Sequence, residues 1–193
     1  MATQTTHPAD PLAPPAVLTL TELIGNPRSG SRTRLVADTI AGTLREHLST
    51  QLAPGPAIEV ATAVAVSLDD RPVHAVEPIP DLVSTLGSAG VLIVASPAYK
   101  GTLTGQLKIV LDSLGTGDLD HVIAVPVAIA ASDRHLRRLA ADLGLILAEL
   151  GAEVAPAFAI NERDLDRLPD RARTWAEDTA ATIDQQLIGD GGR

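Results

Sequence analysis

The chain has 193 residues, 45% of them hydrophobic and 20% charged, a balance that suits one compact domain and excludes wholesale disorder. Its 24 acidic against 15 basic residues leave a formal net charge of -9, which repels nucleic acid, and the lack of cysteine excludes disulfides, thiolate nucleophiles and cysteine-based metal centres. No apolar run reaches bilayer-spanning length and no charged n-region precedes an apolar h-region, so a soluble, cytoplasmic protein is expected.

Residues 1–16 are rich in Thr, Pro and Ala without periodicity and read as a disordered leader; the domain is expected over 17–188, with 189–193 frayed. Candidate strands are Val17–Ile24, Ile58–Val66, Val91–Ser96, Val122–Ala130 and Glu153–Ile160. Several are near-continuous in Val, Ile and Ala, as in strands covered on both faces. Glu22 is out of keeping with the first of them and marks either a bulge or a partly open face. Between strands the spacing turns helical: Val36, Ile40, Leu44 and Leu48; then Leu107, Val110, Leu111 and Leu114; then Leu136, Leu139, Leu143, Ile146, Leu147 and Leu150 up to the stop at Gly151. Lys108 and Asp112 stand four apart as a helix ion pair. A last helix starts near Pro169 and carries Trp175, Ala176, Thr179, Ile183 and Leu187 on its apolar side, which makes Trp175 core. Leu145 lies off the stripe of its helix and widens the apolar face, which suits either a helix–helix dimer contact or a deeper core contact.

Strands alternating with helices imply a parallel, doubly wound α/β sheet whose ligands sit beyond the carboxyl ends of the strands. That narrows the chemistry to loops 25–33, 67–72, 96–105 and 130–134. Asp69 and Asp70 read most simply as a turn before Arg71-Pro72, with a catalytic pair as the alternative. The loop Gly25-Asn26-Pro27-Arg28-Ser29-Gly30-Ser31-Arg32-Thr33 suits an anion: two glycines for tight turns, hydroxyls at a helix start, and Arg28 or Arg32 as charged donors. It matches the P-loop spacing at Gly25 and Gly30 but carries Ser31 in place of the lysine, and the dinucleotide pattern G-x-G-x-x-G is absent. A cradle for one terminal phosphate remains, beside the plainer reading of a capped helix start. His121 and His135 lack partners at metal-ligand spacing, and no G-x-S-x-G follows a strand.

The loop Ser96-Pro97-Ala98-Tyr99-Lys100-Gly101-Thr102-Leu103-Thr104-Gly105-Gln106-Leu107-Lys108 follows the third strand, and its shaped backbone can border a flat heterocycle. Together the two loops, in this order and separation, resemble those of the flavodoxin-like NAD(P)H-dependent FMN reductases, over roughly residues 17–188. The resemblance implies a flavodoxin-like five-stranded sheet in the order 2-1-3-4-5, assembled as a homodimer or homotetramer. It further implies FMN and NAD(P)H as cofactor and donor. By similarity Asn26, Arg28, Ser31 and Thr33 bind the FMN phosphate, while Pro97, Ala98, Tyr99, Lys100 and Gly101 border the ring. Asn26 stands where a Ser is usual. After the fourth strand many relatives have Gly-Gly; here Ala131 and Ser132 approach the ring, and the Cβ atoms of Ala130 and Ala131 restrict how closely.

Trp175, Tyr99 and Phe158 are the only aromatic residues, and only Tyr99 lies in a candidate flavin loop. Electron-carrying flavodoxins shield both ring faces with aromatics, so this composition favours a reductase with one face open to nicotinamide. Hydride then passes from nicotinamide C4 to flavin N5, with no side chain required as acid or base. The stretch Tyr-Lys-Gly-Thr-Leu-Thr-Gly is closest to reductases that supply reduced FMN to a partner monooxygenase. Arg134, Arg137 and Arg138 are solvated, or one of them meets the 2′-phosphate of NADPH. The alternatives are a quinone or azo-dye reductase or a flavodoxin-like electron carrier on the same fold, and a sheet domain that only binds a partner.

Overall fold

The computed structural model describes residues 17–63 and 80–190. The expected leader 1–16, the Asp69–Asp70 turn and residues 191–193 lie outside the described residues. Among the described residues no helix is long and apolar enough to cross a membrane.

Among the described residues six strands form one sheet: β1 (Thr19–Ile24), β2 (Ala53–Glu59), β3 (Val91–Pro97), β4 (Ile123–Ala130), β5 (Glu153–Val154) and β6 (Phe158–Asn161). Their order is β2-β1-β3-β4-β5, with β6 also on β4, and every pairing is parallel. The helices are α1 (Arg32–His47), α2 (Val60–Ala63), α3 (Pro80–Gly87), α4 (Gly105–Asp112), α5 (Asp133–Glu149) and α6 (Leu168–Asp190), the last preceded by a 3-10 turn over Glu162–Arg167.

Every residue of β3 and β4 is buried, because helices cover both faces. The two-residue period sends Leu23, Leu92, Val94, Ala124 and Ala128 to one face, against Leu107 and Leu111 of α4 and Leu139, Leu143 and Leu147 of α5. Leu20, Ile24, Val91, Ile93, Val125 and Val127 face the other way, against α1 and α6. There the predicted stripe Val36, Ile40 and Leu44 is wholly buried, each side chain contributing about 1.5–3 kcal/mol of burial. Trp175 packs edge-on to Phe158 at 5.9 Å between centroids, and its indole N–H donates to the Pro156 carbonyl at 3.3 Å. The core role expected of Trp175 stands.

Three strands differ from expectation by two residues or more, the third and fourth by one. Val17 and Leu18 precede the first strand and are exposed. The second strand is Ala53–Glu59 rather than Ile58–Val66: Val60–Ala63 winds into a turn of helix, and the Pro-rich run before it extends along the sheet margin. Pro54 and Pro56 have no N–H to donate, which an outer strand tolerates. The expected fifth strand Glu153–Ile160 is two pieces, β5 and β6. From Ala124↔Val154 to Val127↔Phe158 three steps along β4 match four along its neighbour, so a residue bulges out around Pro156. At the far end Gly189 and Asp190, expected to fray, are helical.

Glu22 resolves as both expectations at once. The register between β1 and β2 shifts between Leu20 and Glu22. A cavity of about 170 Å³ opens there, lined by Glu22, Asp38, Arg45, Pro54 and Gly55 among others. Glu22 is 9% exposed, its Oε2 has no hydrogen-bond partner, and burial followed by the nearby Asp38 carboxylate raises its pKa to about 7.

Candidate functional site

Because all strands run the same way, their carboxyl ends share one edge. Ile24 pairs with both Glu59 and Ala95, Pro97 with Ile129, and Ala130 with Asn161. The loops leaving β1, β3 and β4 therefore meet along that edge.

The β1–α1 loop is anchored at Gly25, whose N–H donates to the Ala95 carbonyl at 2.7 Å. A Cβ there would lie 2.6 Å from Leu107 Cδ2 and 3.0 Å from the Ala95 oxygen, so only glycine permits this approach to α4. The Gly25 carbonyl accepts from the Thr104 hydroxyl at 2.5 Å, and that hydroxyl also caps α4 by accepting from the Leu107 N–H at 3.2 Å. One buried threonine thus joins the first and third candidate loops.

Further along, the Asn26 carboxamide holds the loop from inside. Its Oδ1 accepts from the Arg28 N–H at 2.9 Å, and its Nδ2 donates to Thr33 Oγ1 at 3.2 Å. Thr33 is buried and serves Asn26, so of the predicted phosphate residues it acts from beneath the loop. The chain turns at Gly30, φ +63°, where an added Cβ would meet nothing within 4 Å. Ser31 then caps α1, accepting from the Arg34 N–H at 3.4 Å, and no acidic residue occupies the first turn of that helix. No side chain of the first turn itself offsets the positive end of α1.

Three arginines surround this loop and only one is available. Arg34 Nε contacts both Asp38 oxygens at 2.7 and 2.9 Å, and its Nη1 lies 3.5 Å from Glu59 Oε1. Arg32 reaches Glu162 at 3.6 Å. Arg28 is exposed and has no carboxylate partner among the described residues.

After β3 the Ala98 N–H donates to the Ile129 carbonyl at 2.8 Å, and Tyr99 and Thr102 exchange backbone hydrogen bonds of 2.9 and 3.3 Å. Lys100 (φ +54°) and Gly101 (φ +91°) are the central residues of this turn, a type I′ geometry. A lysine in the left-handed region costs about 1–2 kcal/mol, strain of the kind that collects at functional sites. The turn presents Tyr99, 48% exposed, and Lys100 to solvent. Thr102 Oγ1 donates to Asp142 of α5 at 2.8 Å, and the His135 ring lies beside Gly101.

After β4, Ala130 is buried and Ala131 exposed, while Ser132 caps α5 by accepting from the His135 N–H at 3.4 Å. Asp133 accepts from Asn161 Nδ2 at 3.0 Å and sits 3.7 Å from Arg163. The structure thus brings Asn26, Arg28, Ser31 and Thr33 together on one loop and Pro97–Gly101 on the next, with Ala131 and Ser132 beginning a third. Two residues of this edge were not anticipated. Asn161 ends the short apolar strand Phe-Ala-Ile-Asn, a polar residue at a strand terminus that could have drawn notice. Glu59 ends β2, whose displaced boundary hid it.

The donor set fits a phosphomonoester. Arg28 supplies a guanidinium with no carboxylate partner among the described residues, α1 an N-terminus with no acidic residue in its first turn, and the crest at Gly30 opens to solvent. A family model described as NADPH-dependent FMN reductase matches residues 18–164. No curated protein sequence matches the chain significantly. Among solved structures it is similar to the apo form of an NADH:FMN oxidoreductase, at 22% identity and a TM-score of 0.70, over 90% of each chain. It is also similar to an FMN-dependent NADH-azoreductase from Bacillus anthracis str. Ames Ancestor in complex with FMN (12% identity, TM-score 0.58, 86% of this chain and 99% of that one). An NAD(P)H:quinone oxidoreductase from Methanothermobacter marburgensis gives 16% identity and a TM-score of 0.58 over 84% of this chain and 96% of that one. At these identities the three structures share its fold.

Proposed function

The chain belongs to the NADPH-dependent FMN reductase family, and from that premise we propose that it is an NAD(P)H:FMN oxidoreductase whose flavin lies along the carboxyl edge of the sheet. FMN supplies the chemistry when bound, its ring N5 accepting the hydride that nicotinamide C4 gives up. The protein binds, orients and covers. Arg28 and Ser31 hold the phosphate with charged and hydroxyl donors, beside the N-terminus of α1. Asn26 and Thr33, bonded to each other, keep that loop in shape before the ligand arrives.

Pro97, Ala98, Tyr99, Lys100 and Gly101 border the ring, with Ala131 and Ser132 approaching it from the β4 side. Phe158 and Trp175 pack on each other in the layer under α1 and α6, which leaves Tyr99 as the aromatic of these loops. A bound ring would therefore have Tyr99 as its aromatic neighbour among these loops, which would leave a face for a stacking nicotinamide. Arg138 lies 3.6 Å from Asp142, whereas Arg134 and Arg137 have no ion pair among the described residues and are the candidates for a nucleotide phosphate. We assign no side chain as acid or base.

The observation that carries this reading is the Thr104 joint between the two loops, set beside an uncompensated Arg28. Titration of the protein with FMN and with riboflavin, followed by flavin fluorescence, tests it. Arg28→Ala should raise the FMN Kd about 10–100-fold, the worth of one or two charged hydrogen bonds, and leave riboflavin binding unchanged. Unaltered FMN affinity would overturn the phosphate assignment.

A second reading, a quinone or azo-dye reductase or an electron carrier, draws support from the shared fold and the open ring face. NADPH oxidation with added free FMN, set against oxidation with added quinone, separates the two. Delivery of reduced FMN to a flavin-dependent monooxygenase in the cytoplasm belongs to the first reading. Self-association as a homodimer or homotetramer draws support from the groove between α4 and α5, where Leu145 is 72% exposed within a rim that carries Lys108, Asp112 and Glu149.

A further inference from the structure

We propose that Glu59 sets the strength and phosphate selectivity of flavin binding, by placing a fixed negative charge against the crest of the β1–α1 loop. The inference rests on the reading of that loop as a phosphate cradle.

Glu59 is the last residue of β2 and pairs with Ile24 on β1, so the sheet delivers it to the base of the loop. Its side chain is 14% exposed. Oε1 accepts from the Gly30 N–H at 3.4 Å and faces Arg34 Nη1 at 3.5 Å. The Ser29 hydroxyl donates to the same carboxylate and, with the Gly30 N–H and Arg34, holds its pKa below the usual range, so it is charged at any working pH.

Hydroxyl and peptide N–H donors at a glycine turn are the groups such loops offer to anions. Here the Glu59 carboxylate engages two of them. It keeps the crest in its left-handed turn without a ligand, and it stands in opposition to any second anion. Arg34 offsets that charge only in part, because it is shared with Asp38: one guanidinium faces two carboxylates. The Glu59 charge against the crest is therefore only partly offset.

A phosphomonoester carries about -1.5 to -2 near neutral pH. At a separation on the order of 7–10 Å in a mostly aqueous surround, the repulsion weakens binding roughly three- to tenfold. Riboflavin, which lacks the phosphate, escapes this penalty. The phosphate thus contributes less selectivity than Arg28 and the helix end alone would confer, which favours a flavin that exchanges readily.

Glu59→Gln keeps the shape and an acceptor oxygen for Gly30 but removes the charge. Flavin fluorescence titrations at pH 8 should show the FMN Kd falling three- to tenfold, with the riboflavin Kd unchanged. At pH 5.5, where the phosphate is closer to a monoanion, the gain should shrink. Glu59→Asp, which retains the charge, should bring no gain. An unchanged FMN affinity in Glu59→Gln would overturn the inference. So would a parallel weakening of FMN and riboflavin, which would make Glu59 a scaffold for the loop and nothing more. Arg28→Ala, titrated alongside, separates the two levels. If it weakens FMN while Glu59→Gln changes nothing, only the role of Glu59 fails; if it too changes nothing, the cradle reading fails with it.

Discussion

Inside β1, the carboxyl of Glu22 shares a small cavity with Asp38 and Arg45, and its pKa of about 7 stands well above the ordinary 4.5. The folded protein therefore holds this proton more tightly than the unfolded chain does. Below about pH 4.5 both forms are protonated and the position is no burden. As pH rises to about 7 the folded state must either keep a proton the solvent no longer supplies or bury a charge, and stability falls. Glu22→Gln, which cannot ionise, should match the wild type near pH 4.5 and exceed it by up to about 3 kcal/mol above pH 7 in urea unfolding. A constant difference across that range would show that Glu22 does not titrate in this way. The oddity of Glu22 was plain in the sequence, because a carboxylate inside an apolar run contradicts its neighbours. The importance of Glu59 was hidden, because its partner Gly30 is 29 residues away and only the pairing of β1 with β2 brings them together.

Among the elements, α6 is fastened to the turn after α1 by Asp184. Its Oδ2 accepts from the Ser49 N–H at 2.8 Å and its Oδ1 from the Thr50 N–H at 2.9 Å. Burial pushes this carboxyl up, but the donors of Ser49 and Thr50 outweigh it and hold the pKa below 3.8. The stability it contributes is present above the unfolded value and is lost as pH falls through the lower folded value. Asp184→Asn should cost about 1–3 kcal/mol at pH 7 by chemical unfolding, and the gap to wild type should narrow below about pH 3.8. A gap that persisted unaltered into acid would separate the loss from the charge. No sequence rule pairs residue 184 with 49 and 50. The stripes of α1 and α5, by contrast, were legible, since Val36-Ile40-Leu44 and Leu136-Leu139-Leu143-Leu147 need only a period of 3.6 to be seen, whereas α2 and α3 offered no such stripe. The outer strands were not legible either. Pro54, Gly55 and Pro56 are poor strand formers, and their extended conformation depends on β1 lying alongside. The break at Pro156 is likewise a matter of register with β4. Of the candidate site, the loop residues could be read from their chemistry, while the Thr104 joint that unites the loops depended on the fold.

At the scale of the molecule, a ligand that joins three loops on one edge should stabilise the whole domain. With free FMN a hundredfold above its Kd, the gain is about 2.7 kcal/mol, which for a chain of this size raises Tm by about 5–10 °C. Melting curves with FMN, riboflavin and no flavin would record it, and FMN should protect most when all are compared at equal concentration. Curves that superimpose would contradict binding at this edge.

The prolines of the two outermost ribbons carry a last implication. A strand from a second molecule, laid against Pro54 and Pro56 on one flank or around Pro156 on the other, would find gaps where it needs amide hydrogens. Among the described residues neither flank offers a full ladder to a neighbour's strand, which disfavours one continuous β-layer between copies. Contacts between copies are expected from the helical coats instead.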